Sequence, residues 1–300
     1  MAAGNVDPGE QRRVGFALTD VTTADIAGLL PPQWIRDFAE ELSAARPFVS
    51  AFDTRPLPES GMTITWPKKT ITGPIVGEQV AQKTDVVSGK VAVTATNSPV
   101  TTYAGGNDVS IQAILRSDPS YLAVLFEEYA YALAAVHDVD VITDVLAAIP
   151  VGSQIALSAA APTAINTKLA NGARLMWAAG RGARPDRLVM GLGVWEYFAA
   201  AADATGRPLF PNMSGANPVG ELNITTTEGE ARGLAYVVDP YLTATKAVMG
   251  WSRAITNWVG PVGTLAADVP AKLGRDVAIY QFGALAIRRV DALVEYTLGG

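Results

Sequence analysis

The spacing of hydrophobic positions along this 300-residue chain changes several times, and each change marks an element. Residues 1–30 show weak periodicity among many Gly, Asp and Thr residues, the pattern of an extended arm that orders against a partner. After Pro31-Pro32, the residues Trp34, Ile35, Phe38 and Leu42 share one helical stripe opposite Asp37, Glu40 and Glu41, which predicts a short docking helix closing before Pro47. From Met62 to Trp66, and again from Val91 to Thr96, the alternation is that of half-buried strands. Paired, they make a hairpin whose connection, Pro67 to Gly89, is far longer than the roughly two to five residues of an ordinary hairpin loop. A two-stranded ribbon is marginal alone in water, so this one needs another surface to lie on.

At Ser117-Asp118-Pro119 the period becomes helical. Asp118 is a good N-cap, Pro119 suits the first turn, and Leu122, Leu125, Phe126, Tyr129, Leu133, Val136, Val139, Ile142 and Leu146 recur at helical spacing up to Pro150. The predicted spine, 119–149, is about 45 Å long at about 1.5 Å per residue. A second helix is expected over 162–179 with Ile165, Leu169, Ala173, Met176 and Trp177 on one face. Beyond it the pattern predicts a strand at 187–190, a helix at 194–202, a Pro/Gly/Asn-rich loop at 206–220, and strands at 222–226, 233–238, 247–258, 276–289 and 293–298.

Charge is segregated by element. No Lys or Arg occurs between Arg116 and Lys168, a window that holds Asp118, Glu127, Glu128, Asp138, Asp140 and Asp144, whereas Lys68, Lys69, Lys83 and Lys90 lie in the hairpin. Lysines along such a ribbon discourage indiscriminate edge pairing yet allow a charge-matched contact. With 49% hydrophobic residues the chain can bury a full core, and a net charge of -6 argues against a nucleic-acid-coating or membrane-surface protein. The absence of cysteine removes disulfides, thiolate catalysis and cysteine-containing zinc sites. No apolar stretch of signal-peptide or membrane-spanning length occurs, so the expectation is a soluble protein made in cytoplasm, with no cofactor and no membrane partner.

Candidate chemistry is sparse. The single histidine, His137, shares a helix side with Asp140 and Asp144 as metal ligands could, but regular helix lacks the turn of a calcium loop, and a solvated acidic face is the plainer expectation. The stretch Val189-Met190-Gly191-Leu192-Gly193-Val194-Trp195-Glu196 imitates a strand entering a dinucleotide-binding turn, but Glu196 stands where the third glycine belongs and would repel a pyrophosphate. An oxidoreductase would rest on Gly191 and Gly193. Asn212-Met213-Ser214 and Asn223-Ile224-Thr225 fit the glycosylation pattern without a secretory signal.

Thr102-Tyr103-Ala104-Gly105-Gly106-Asn107-Asp108-Val109-Ser110, then Ser117-Asp118-Pro119 and the spine, resemble the major capsid proteins of tailed bacteriophages with the HK97 fold. Pro47 to Asp85, with Gly77-Glu78, is similar to that family's extended hairpin, the E-loop, and Ala267-Asp268 with Gly274-Arg275-Asp276-Val277-Ala278 resembles the closing strands of members from phages of actinobacteria. The resemblance implies an α+β protein: an N-terminal arm (1–50), an E-loop (51–98), a peripheral domain with the spine (99–151 and 241–276) and an axial α/β domain (152–240 and 277–300). It implies a structural, non-enzymatic role. The chain would assemble in the host cytoplasm as hexamers and pentamers of an icosahedral shell around double-stranded DNA, without specific DNA contacts, aided by scaffold, portal and possibly a cementing protein. Trp66, Lys68, Lys69, Glu78 and Lys83 are then expected at intersubunit contacts, Asp138, Asp140 and Asp144 on the lumenal face, and Pro208, Phe210, Asn212 and Asn217 in an axial loop. Some members join a lysine to an asparagine under a buried glutamate. Asn257 is a possible partner, but residues 250–290 hold no glutamate, so no crosslink is expected. An encapsulin-type compartment is the alternative within the fold.

Overall fold

Two sheets, a two-stranded hairpin and one long helix make up most of the described chain. The computed structural model describes residues 46–116, 121–159, 162–179, 182–202, 209–210 and 228–299. The expected arm and docking helix, the Asp118 cap and the strand at 222–226 lie outside those residues.

The described chain begins with a short helix, α1 (Pro47–Ala51), which buries Phe48, Val49 and Ala51. The strand β1 (Asp53–Pro56) and the hairpin strands β2 (Thr63–Thr72) and β3 (Lys90–Pro99) follow, the last two paired from Thr63↔Pro99 to Thr72↔Lys90. Next come β4 (Thr101–Ser110), α2 (Ile111–Arg116) and the spine, α3 (Tyr121–Ala148). The spine ends just before Pro150, which cannot continue a helix. Its buried stripe is Ala130, Leu133, Ala134, His137, Asp138, Val141, Ile142 and Val145, spaced by threes and fours. This corrects the expected stripe: Val136 and Val139 are exposed, while His137 and Asp138 are inside. The helix carries apolar residues around most of its circumference, so polarity alone does not say which side turns inward.

β5 (Gln154–Ser158), α4 (Ile165–Ala178), β6 (Arg187–Met190), α5 (Leu192–Ala200), β7 (Glu228–Ala231), β8 (Leu234–Val238), β9 (Lys246–Gly250), β10 (Ile255–Val259), β11 (Gly263–Val269), β12 (Gly274–Ile287) and β13 (Leu293–Gly299) complete the order. α4 buries Ile165, Leu169, Gly172 and Met176, whereas Trp177, one position past that stripe, is exposed. The strand expected at 247–258 is broken at 251–254, and its halves enter different sheets.

The 14-residue strand β12 organises the first sheet. β4 lines one edge, from Gly274↔Ser110 to Gly283↔Thr101. The other edge is shared end to end by β11 and β10, and β1 lies parallel beside β10. Val277, Ile279 and Gln281 alternate inward on β12, as a strand with one covered face requires. The second sheet runs β5-β13-β9-β6-β8-β7. Its central strands β9 and β6 are almost wholly buried, as strands covered on both faces are. α4 packs on β5 and β13, α5 on β9, and α1 on β6 and β8. These sheets cut the chain elsewhere than the expected boundaries: β9 belongs to the six-stranded sheet and all of β12 to the other, so the crossings fall at 251–254 and 288–292. Among the described residues no helix is long and apolar enough to cross a membrane.

Candidate functional site

The hairpin is tied down at one end only. At its root Trp66 is 8% exposed, packs with Trp258, Ala284 and Ala286, and donates its indole N–H to Ser98 Oγ at 3.1 Å. Trp66, expected at an intersubunit contact, is turned to its own sheet and holds the hairpin there, because its place in the alternation faces it toward Trp258. Beyond it, every β2 side chain from Pro67 to Thr72 is exposed, Lys68 and Lys69 included, and so are Glu78 and Lys83 in the tip. The tip, 73–89, folds on itself. Gln79 Nε2 donates to Thr84 O at 2.8 Å, Lys83 takes a left-handed turn at φ 65°, and Gly89 lies so close to Pro74 that a Cβ would stand 2.5 Å from its carbonyl oxygen. Yet the tip has no core of its own: Val76, Val80 and Val86 are 85%, 90% and 73% exposed. An apolar patch of this kind, rimmed by lysines, marks a contact surface.

The Gly191-Leu192-Gly193 turn is filled by the protein itself. The N–H of Gly191 donates to Lys246 O and that of Val194 to Ala244 O, each at 2.9 Å, and a Cβ on Gly193 would stand 2.9 Å from Ala244 O. The 243–246 turn thus occupies the helix end a pyrophosphate would need, and the glycines serve strand-to-helix packing. Of the expected axial-loop residues, Pro208, Asn212 and Asn217 lie outside the described residues. Phe210 is no surface-loop residue: it is buried, its ring 5.1 Å from that of Phe198 and 5.7 Å from the Arg232 guanidinium. Asn257 is fully buried in β10 between β1 and β12, with its Nδ2 donating to Val49 O at 3.5 Å.

Sequence reasoning missed a buried polar joint where α1 meets the spine. Arg46, itself buried, donates Nη1 to His137 Nδ1 at 3.1 Å and to Gln281 Oε1 at 3.3 Å. A guanidinium can only donate, so His137 Nδ1 accepts and the ring proton sits on Nε2. Burial first, then the charge of Arg46, lower the His137 pKa to about 4 and keep the ring neutral. Its neighbour Asp138 accepts the N–H of Val49 at 2.9 Å and of Phe48 at 3.3 Å, and burial followed by the charge of Asp239 pushes it up to about 8. Asp239, just past β8, accepts the N–H of Tyr241 at 2.8 Å and is also raised by burial. The sequence did carry one signal: His137 stands four and three residues after Leu133 and Ala134, and Asp138 three and four residues before Val141 and Ile142.

Asp138 is therefore not on the acidic outer face expected of it. It lies about 200° around the helix from Asp140 at about 100° per residue, while Asp144 is only about 40° from Asp140. Asp140 and Asp144 are exposed. The Tyr103 hydroxyl donates to Asp140 Oδ2 at 2.6 Å, and burial, reinforced by that bond, raises the phenol's pKa.

Residues 93–292, two thirds of the chain, match the family described as phage capsid protein. No curated protein sequence matches the chain. Among solved structures, one of Gordonia phage Cozz matches with a TM-score of 0.64 at 16% identity, over 85% of this chain and 87% of that one. One of Microbacterium phage Oxtober96 gives 0.62 at 16% identity, over 93% and 100%. The virus-like particle from Pyrococcus furiosus gives 0.59 at 14% identity, over 88% and 98%. At such identities the likeness is one of fold. With its long hairpin, spine helix and two-sheet body in the HK97-like capsid arrangement, the chain belongs to the phage capsid protein family and is a structural major capsid protein of the virion.

Proposed function

We propose that copies of this chain join as hexamers and pentamers into an icosahedral shell around a double-stranded DNA genome, each hairpin lying across a neighbouring subunit. The observation that carries this is the tip: Val76, Val80 and Val86 are exposed, and among the described residues nothing covers them. Burial of apolar area at about 25 cal/mol per Å² rewards a neighbour that covers them. Lys68, Lys69 and Lys83 add charge that restricts which surface is acceptable, and Glu78 adds an opposite charge within the same tip. The Gordonia and Microbacterium phage structures of like fold support an actinobacterial host, with assembly in its cytoplasm. Scaffold, portal and cementing proteins are the further partners this role calls for.

Thr72 and Lys90 are directly opposed, so residues 73–89 can be replaced by Asn-Gly to close a short hairpin that keeps Trp66 in place. The shortened chain should sediment as monomers or capsomers. Complete shells from it would remove the hairpin from the assembly contact.

A further inference from the structure

We infer that Asp138 and Asp239 share one proton that locks the Arg46–Phe52 segment to the spine and to the six-stranded sheet, and that its loss releases this segment. Both carboxyl groups have no solvent exposure. Asp138 grips the segment through the N–H groups of Phe48 and Val49. Asp239 Oδ2 has no hydrogen-bond donor among the described residues, and the Asp138 carboxyl, within side-chain hydrogen-bonding reach of Asp239, supplies one when it carries a proton.

Charge balance gives the same count. The segment contributes one cation, Arg46, whose pKa burial lowers and Asp138 raises. The spine contributes His137, held neutral, and β12 contributes the uncharged Gln281. The turn after β8 contributes Asp239 and the Tyr241 phenol, which burial first and then both carboxylates push further from ionisation. With one proton the pair carries a single negative charge against one guanidinium. Without it, two anions face one cation in a site closed to water, and like charges so placed repel strongly. Asp138 belongs to the spine and Asp239 to the turn after β8, and the Phe48 amide lies against both, so that repulsion acts across the contact that seats α1.

Hydrogen exchange of the full-length chain tests this. After correction for intrinsic rates, the Phe48 and Val49 amides should lose about tenfold of their protection between pH 7 and pH 9, most of it below pH 8, where the folded site begins to ionise. Val248 and Val294, in the core of the second sheet, should keep theirs. Asp138→Asn and Asp239→Asn, which leave one carboxyl and no shared proton, should flatten the profile. Equal protection at pH 7 and pH 9 in the parent chain, or an undiminished loss in either folded variant, would overturn the lock. Should neither variant fold, the parent profile and its confinement to residues 47–52 decide the matter.

Discussion

Trp66 does for the hairpin what the tip cannot do for itself. Its indole packs with Trp258, whose ring also lies 5.8 Å from the Arg288 guanidinium, and its N–H donates to Ser98. Trp66→Ala should lower subunit stability by about 3 kcal/mol through the cavity it leaves, read as a shift in the urea midpoint. Trp66→Phe keeps a ring and loses the hydrogen bond, so about 1 kcal/mol is expected. A shift in the alanine variant no larger than that would mean the root is held by the backbone ladder alone. At this scale the surroundings of Trp66, Phe210 and Asp138 are not legible from their neighbours in sequence. Each is placed by a neighbour distant in sequence: Trp258, Phe198 and Asp239.

Elements whose period is set locally were legible: the hairpin, the spine, the strand 187–190 and the closing strand. Those held by distant partners were not. β4, with Gly105, Gly106, Asn107 and Asp108, has little strand propensity of its own and exists because β12 supplies its ladder. The break at 251–254 reflects the chain's passage between sheets, with Ser252 N–H and Oγ both held by Asp186 at 2.6 Å. Register is the other loss. The spine's rotation is fixed by the joint it buries, and that joint gives the fold a pH dependence with two opposed slopes. Asp138, raised to about 8, contributes stability that is full below its unfolded value near 4 and declines as pH climbs to about 8. His137, lowered to about 4, contributes stability that is full above about 6.5 and declines as pH falls toward 4. Between about 4 and 6.5 the two slopes oppose one another, with Asp239, also raised by burial, adding to the decline. Above that the carboxyl pair acts unopposed, so the urea midpoint of subunits should fall more steeply from pH 6.5 to 8 than from 5 to 6.5. A midpoint that rises over the second interval would contradict this assignment of protons.

For the whole molecule, assembly adds two expectations. Asn257 is sealed between strands and residues 250–290 supply no glutamate, so boiled shells should run as single subunits near 31.4 kDa in a denaturing gel, and a ladder of multimers would refute this. The second concerns the inner wall. A shell packed densely with DNA must not adhere to it, and neutralising phosphates takes Lys or Arg, which residues 117–167 lack entirely. Asp140 and Asp144 remain on the spine's exposed side after Asp138 is removed to the joint, which supports a lumenal position for these two. They repel one another as well as phosphate: Asp144 is raised by its own partial burial and then by the charge of Asp140. Replacing both with lysine should make assembling shells retain host nucleic acid, seen as a higher ratio of absorbance at 260 nm to that at 280 nm. The Tyr103 hydroxyl loses its acceptor in that variant at a cost of about 1 kcal/mol, too little to prevent folding of a subunit with two intact sheets. Intact double-variant shells with an unchanged ratio would place these carboxylates away from the lumen.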